Sequence, residues 1–228
     1  MNYLAHAYLS FGNPDILTGN MISDFVKGKK KLDYPEAIQK GITLHRAIDT
    51  FTDTHDLTRQ AKTFFKPVYG LYAGALVDVI YDHYLANDPL QFSPEGADTR
   101  DSEQGAAERS GLSRQAAVET LAGFAEKTYQ QLAGQQGAFP ERFARMFGYM
   151  RSQNWLYNYR TREGIVNSLA GLARRARYMP DPAAACRIFE AHYEELAVCY
   201  AAFFPALKDF AFTSLQDLLG NPLPLPGE

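Results

Sequence analysis

Apolar residues recur at three- and four-residue steps along most of the chain, the spacing that gathers side chains on one face of an α-helix. In "DILTGNMISDFVKG", Ile16, Met21, Ile22, Phe25 and Val26 follow it, and Gly28 is a natural stop. "YPEAIQKGITLHRAIDTFTDT" opens with Pro35 at a first-turn position and carries Ile38, Ile42, Ile48 and Phe51 on one stripe. "DLTRQAKTFFKP" predicts a short helix ended by Pro67, and "LYAGALVDVIYDHYLAND" a strongly apolar one. "RQAAVETLAGFAEKTYQQL", capped by Ser113, "PERFARMFGYMRSQNW" and "TREGIVNSLAGLARRARYM" continue the series. A last pattern runs from Asp181 to about Leu219 with a bend at Pro205. Residues 88–112 break the rhythm. They are rich in Gly, Ser, Asp and Glu, and predict a mobile loop or insertion. No segment alternates as a strand does, so the chain reads as one all-α domain over residues 1–228, a single-domain helical bundle.

Composition narrows the class. The 228 residues, 46% of them hydrophobic, suffice for one large core. A net charge of −3 leaves no global footprint for nucleic acid. Cys186 and Cys199 fall in one helical pattern, about 20 Å apart at roughly 1.5 Å rise per residue, too far to bond. Two free thiols suit a reducing compartment. "MNYLAHAYLSFGNPD" has no basic region before its short apolar run, so it does not read as a signal peptide. No stretch approaches the roughly 20 apolar residues that a membrane helix needs. The expectation is a cytoplasmic protein, with neither membrane nor nucleic acid as partner. Gly19, Gly41 and Gly70 stand in no phosphate-loop pattern, and no GxSxG elbow is present.

Candidate chemistry lies inside the apolar helices. His45, Asp49 and Asp53 are four residues apart and form one row. Asp78 and Asp82 form another, with His83 beside it, among Leu76, Val77, Val79, Ile80 and Tyr84. Like charges one turn apart repel, and buried carboxylates are costly unless paired or bound to metal. A divalent cation would answer that cost, and oxygen-rich sites with some imidazole suit Mg²⁺ or Mn²⁺. Taken singly, other groups have plainer readings. His6 is the sort of histidine that hydrogen-bonds in a core, Asp53 ends its helix, and Asp24 has Lys27 within ion-pair spacing. The dipeptide His55-Asp56 sits at a helix junction, where Asp56 is placed to cap the helix that starts at Leu57.

Charge is unevenly spread. Between Pro140 and Pro180 there are eight arginines, Arg142, Arg145, Arg151, Arg160, Arg162, Arg174, Arg175 and Arg177, against two acids, Glu141 and Glu163. That local excess suits an anionic partner or a phosphate, with a scattered solvated face as the plain alternative. Lys27, Lys29, Lys30 and Lys31 form a second basic cluster after Asp24.

The segments "MNYLAHAYLS", "LTGNMISDFVKG", "GITLHRAIDTFTD", "VDVIYDHYLA", "NWLYNYR" and "IVNSLAGLARR" occur in this order and together resemble the bacterial acyl carrier protein phosphodiesterase (ACP hydrolase) family. That family resembles a divergent branch of the HD phosphohydrolases. The resemblance implies an HD-domain-like all-α fold and a Mn²⁺ or Mg²⁺ ion. It also implies hydrolysis of holo-ACP to apo-ACP and 4′-phosphopantetheine. The central dipeptide is reversed here, Asp82-His83, so site residues carry over only by segment: His6, Asp24, His45, Arg46, Asp49, Asp78, Asp82 and His83. On this expectation Asp24, His45, Asp78 and Asp82 hold the metal, and Asp49 orients His45. His6 or His83 moves a proton, and Arg46 grips a phosphate oxygen. Arg142, Arg145, Arg151, Arg174, Arg175 and Arg177 receive acidic ACP. The rival expectations are an HD-type hydrolase acting on a nucleotide and a non-catalytic ACP-binding module.

Overall fold

The computed structural model describes residues 1–93, 119–176 and 179–220, and among them the regular structure is helical throughout. The Ser113 cap, the 94–112 part of the expected insertion, the Arg175 side chain and Arg177 lie outside the described residues. The helices are α1 (Tyr3–Tyr8), α2 (Pro14–Ile22), α3 (Glu36–Thr54), α4 (Asp56–Tyr69) and α5 (Ala73–Ala86). After the gap come α6 (Leu121–Gly134), α7 (Glu141–Ser152), α8 (Trp155–Asn158), α9 (Arg162–Arg175), α10 (Pro182–Ala191) and α11 (Tyr193–Leu219). Short 3₁₀ turns follow α2 (Ser23–Phe25), precede α3 (Gly28–Asp33) and join α4 to α5 (Gly70–Tyr72).

The closest packing is between α2 and α3. Gly19 and Gly41 face each other there. A Cβ on Gly19 would overlap the Ile38 carbonyl oxygen and lie 2.8 Å from the Gly41 Cα, and a Cβ on Gly41 would overlap the Ile16 carbonyl oxygen. Both positions therefore require glycine for lack of space, not for backbone freedom. This contact fixes the turn after α2, which carries Asp24, against the middle of α3.

The helix end expected at Pro67 is not there, while the long pattern expected through Pro205 does continue as helix. α4 continues through Pro67 to Tyr69, and α11 runs unbroken through Pro205. Each proline lies on an exposed face, as does the residue four positions back, Thr63 or Ala201, whose carbonyl loses its helical donor and can turn to water. The chain breaks instead at His192, so Cys186 and Cys199 sit on different helices, both as free thiols. His55, not Asp56, caps α4: its Nδ1 accepts from the Leu57 N–H at 3.3 Å. Asp56 pairs with Arg59 at 2.7 Å.

α11 also corrects the membrane reading. It is long and apolar enough to cross a bilayer by length and composition alone, with a mean hydropathy of 1.3. Its buried residues, Leu196, Tyr200, Phe203, Phe204, Leu207, Ala211 and Leu215, follow helical spacing, and it packs along α3 and α4. Phe203 stacks on Tyr81 and Phe51, joining three helices through one aromatic group. Burial of such a side chain contributes roughly 1.5–3 kcal/mol.

The first residues of the expected mobile segment are held in place. The Tyr200 hydroxyl donates to Asp88 at 3.0 Å, Tyr8 and Lys208 both donate to Gln91 at 2.7 Å, and Phe92 is buried.

Candidate functional site

α1, the turn after α2, and α3 bring their polar side chains to one point. The His6 and His45 rings stack with centroids 3.9 Å apart and planes 18° from parallel. Asp49 lies one helical turn beyond His45 and reaches both rings, at 3.1 Å from each Nε2. Asp24 Oδ1 approaches His45 Nε2 to 3.4 Å from the solvent side, its side chain 67% exposed. The Met1 amino group, fully buried, bridges Asp49 at 3.4 Å and Asp78 at 3.1 Å.

The charges are tightly interdependent. Burial pushes the Asp49 carboxyl up, but His45 and His6 outweigh it and hold it far below the usual range. Burial also opposes charge on His45, yet Asp24 and Asp49 raise it to about 9. His6, buried and then repelled by charged His45, falls to about 4. The nearby His45 ring lowers Asp24 in turn.

One donor atom each from His6, His45 and Asp49 can be chosen so that all lie within 4.8 Å of one another, the scale of a common cation. His6 Nδ1, His45 Nδ1 and His45 Nε2 are buried without a hydrogen-bond partner; the carboxylates near His45 Nε2 are close but misaligned. Buried nitrogens without partners are costly, and a cation held by ring nitrogens would relieve that cost. Two imidazoles and the Asp49 carboxylate, with Asp24 close to His45, form a mixed nitrogen and oxygen set that fits a divalent transition ion.

The other expected ligands lie elsewhere. Asp82 is fully buried, and its two oxygens accept from the Leu4 N–H at 2.7 Å and the Ala5 N–H at 3.2 Å. It caps α1, whose own Asn2 makes no side-chain cap. The burial cost that argued for a metal is thus met by a helix N-terminus. Burial still pushes the Asp82 carboxyl up to about 7, against the pull of those two N–H groups. Asp82→Ala should cost about 2 kcal/mol of stability in urea unfolding, since it leaves two buried donors unmatched. An unchanged urea midpoint would show that α1 does not depend on this cap. His83, the next residue of α5, is held away from the cluster, with Nδ1 2.7 Å from the Tyr159 carbonyl and Nε2 3.1 Å from the Tyr193 hydroxyl. Asp53, third in the row on α3, pairs with Lys62 at 2.7 Å on the surface. Arg46 donates to the Val26 carbonyl at 2.9 Å and so ties the turn bearing Asp24 to α3.

A cleft of about 480 Å³ opens beside the cluster, lined by Asp24, Asp78, Met1, Tyr3, Arg142 and Met146 among others. Arg142 is the member of the arginine-rich region that reaches it. Arg174 lines a neighbouring cavity, while Arg145 and Arg151 are exposed on α7.

Sequence reasoning did not find two supports of His6. Its carbonyl accepts from Ser10 Oγ and Asn20 Nδ2, both at 2.8 Å. Asn20 is fully buried in an apolar helix, and that oddity in "LTGNMIS" was the available signal.

The sequence model of the acyl carrier protein phosphodiesterase family matches residues 1–104 and 112–207. An acyl carrier protein phosphodiesterase of Yersinia pestis is 30% identical over 207 residues, which is 91% of this chain and 95% of that protein. One of Salmonella paratyphi A has the same identity and coverage. One of Serratia proteamaculans is 29% identical over 211 residues, 92% of this chain and 97% of its own. No solved structure matches.

Proposed function

The chain belongs to the acyl carrier protein phosphodiesterase family, and from that premise we propose that it hydrolyses holo-ACP to apo-ACP and 4′-phosphopantetheine with a divalent cation at His6, His45, Asp49 and Asp24. The observation that carries the reading is the convergence of those four side chains from three segments beside an open cleft. The imidazole content favours Mn²⁺ over Mg²⁺, which prefers oxygen ligands.

When bound, the cation supplies Lewis acidity toward an anionic diester that otherwise repels nucleophiles. The protein's own groups account for the rest. Asp49 fixes both rings at once, so neither imidazole can turn away. Asp24, exposed at the mouth, is the carboxylate free to follow an arriving substrate. Arg142 faces the same cleft and offers a planar fork to a non-bridging phosphate oxygen. Asp78, paired to the Met1 amino group, keeps that buried positive charge balanced next to Asp49.

Docking of ACP, a small acidic protein, would draw on the exposed Arg142, Arg145, Arg151 and Arg174, with complementary charge raising the encounter rate. A cytoplasmic setting belongs to the same reading and is supported by the two free thiols.

The deciding experiment incubates purified protein with holo-ACP and Mn²⁺, with and without EDTA, and reads intact mass. The expected result is loss of the 4′-phosphopantetheine mass in the metal arm alone. Loss of equal rate in EDTA would remove the cation from the reading, and no loss in either arm would remove the substrate.

A further inference from the structure

A second cavity, of about 380 Å³, adjoins the cleft that holds Asp24 and Asp78. The two share Asn2 and Tyr3 as a common wall. Beyond that wall the cavity runs between α8 and α9, lined by Trp155, Asn158, Asn167, Ser168 and Gly171 among others, with Arg174 also on its rim. Its volume falls within the range of small-molecule sites.

The lining is amphipathic. On one side Tyr3 and Trp155 present ring faces, with centroids 6.4 Å apart and planes 45° apart. On the other, Asn167 and Ser168 on α9 carry polar groups that bond to no other described residue, and the Asn2 side chain makes no cap bond although it precedes α1. Amides and a hydroxyl that otherwise face water, beside aromatic rings, suit a slender chain that alternates amide groups with short apolar links. They do not suit a bare alkyl chain, which would strand those polar groups.

We propose that this cavity receives the pantetheine arm of the substrate, with its phosphate end at the cluster and its thiol end between α8 and α9. The inference rests on the hydrolysis of holo-ACP proposed above and deepens it. The shared wall of Asn2 and Tyr3 is the point where the arm passes from one space to the other. Asn2, Asn167 and Ser168 pair with its amides, and Trp155 covers its apolar links. The thiol carries no charge at neutral pH and needs no counter-ion. On this geometry the arm, and not only the protein that bears it, sets substrate choice.

Trp155 is the single tryptophan of the chain, so its emission reports on this cavity alone. Free pantetheine titrated into the intact protein should change that emission saturably. Gly171→Leu is the blocking variant. A Cβ there meets only the Arg174 guanidinium, at 3.6 Å, so the helix accepts a side chain that fills the space. The substitution should weaken pantetheine binding at least tenfold and raise KM for holo-ACP by a similar factor. Turnover of bis(p-nitrophenyl) phosphate, a diester without such an arm, should stay within twofold. An Asn167→Ala/Ser168→Ala variant, altered only in exposed and half-buried polar groups, should weaken pantetheine binding without a change in thermal stability. Absence of a saturable signal with the wild type, or equal binding by wild type and Gly171→Leu, would overturn the assignment. If pantetheine binds as described and holo-ACP is left intact, the proposed reaction fails and the cavity assignment stands.

Discussion

Asp49→Ala should abolish metal-dependent turnover and most metal binding while leaving the helical circular dichroism spectrum in place. Asp49 is the hub of the cluster: His6, His45 and the Met1 amino group all lie within 3.4 Å of its carboxylate. Its loss leaves two stacked rings with no shared partner and a buried amino group balanced by Asp78 alone. Loss of an outer partner of a metal ligand typically costs 10–100-fold. A group that touches both imidazoles and offers a donor of its own should cost more than about 100-fold. Asp49→Asn keeps the shape and one acceptor oxygen but not the charge, so it tests which property matters. It should lose nearly as much, because the negative charge is what offsets the cation. Metal content is best read by elemental analysis after dialysis against Mn²⁺, and rate by the intact-mass assay. An Asp49→Ala protein that retained wild-type metal and rate would move the centre of the site to other residues.

The second large effect is structural. Gly41→Ala should lower stability by at least about 3 kcal/mol, the upper part of the usual cost of overpacking. The added methyl meets backbone of α2, which has no rotamer to yield, so the two helices must part. For a chain of this size that cost corresponds to a fall of roughly 6–12 °C in melting temperature. Gly148→Ala is the control. A Cβ at Gly148 in α7 meets nothing within 4 Å, and alanine there should stabilise by about 0.5–1 kcal/mol. A Gly41→Ala protein that melted with the wild type would mean that α2 and α3 lie farther apart than described. Because α3 carries His45 and the turn after α2 carries Asp24, their parting should also lengthen the 3.4 Å approach between those residues and reduce activity in the folded fraction.

Most of this fold was legible because helical spacing is a local property. The row of His45 and Asp49 could be read directly from four-residue steps, and its separation from Asp53 could not, since that depends on where Lys62 of α4 arrives. The helix end at Pro67 was misplaced because the rule against internal proline assumes that the freed carbonyl has nowhere to turn. Exposure of one helix face is a tertiary fact. The same holds for the site. A lone His6 within "LAHAY" carries no sign that it will stack on a ring 39 positions away. Asp82 showed the right cost and suggested the wrong partner: burial of a carboxylate demands compensation, but the sequence does not say whether a cation or a helix terminus supplies it. The Gly19 and Gly41 pair was noticed only as failing to make a phosphate loop, since close contact between two helices leaves no periodic trace.

The capping of α1 by Asp82 bears on the order in which the molecule assembles. Six residues are too few for a helix to persist by itself, because nucleation is costly and only a turn or two repays it. Asp82 stands 78 positions from the Leu4 N–H that it receives, so the N-terminal end of α1 is capped only once α5 has docked. His6 rides on α1. A copy in which α5 had not docked would therefore hold His45 and Asp49 on one helix, with their companion His6 on an uncapped α1.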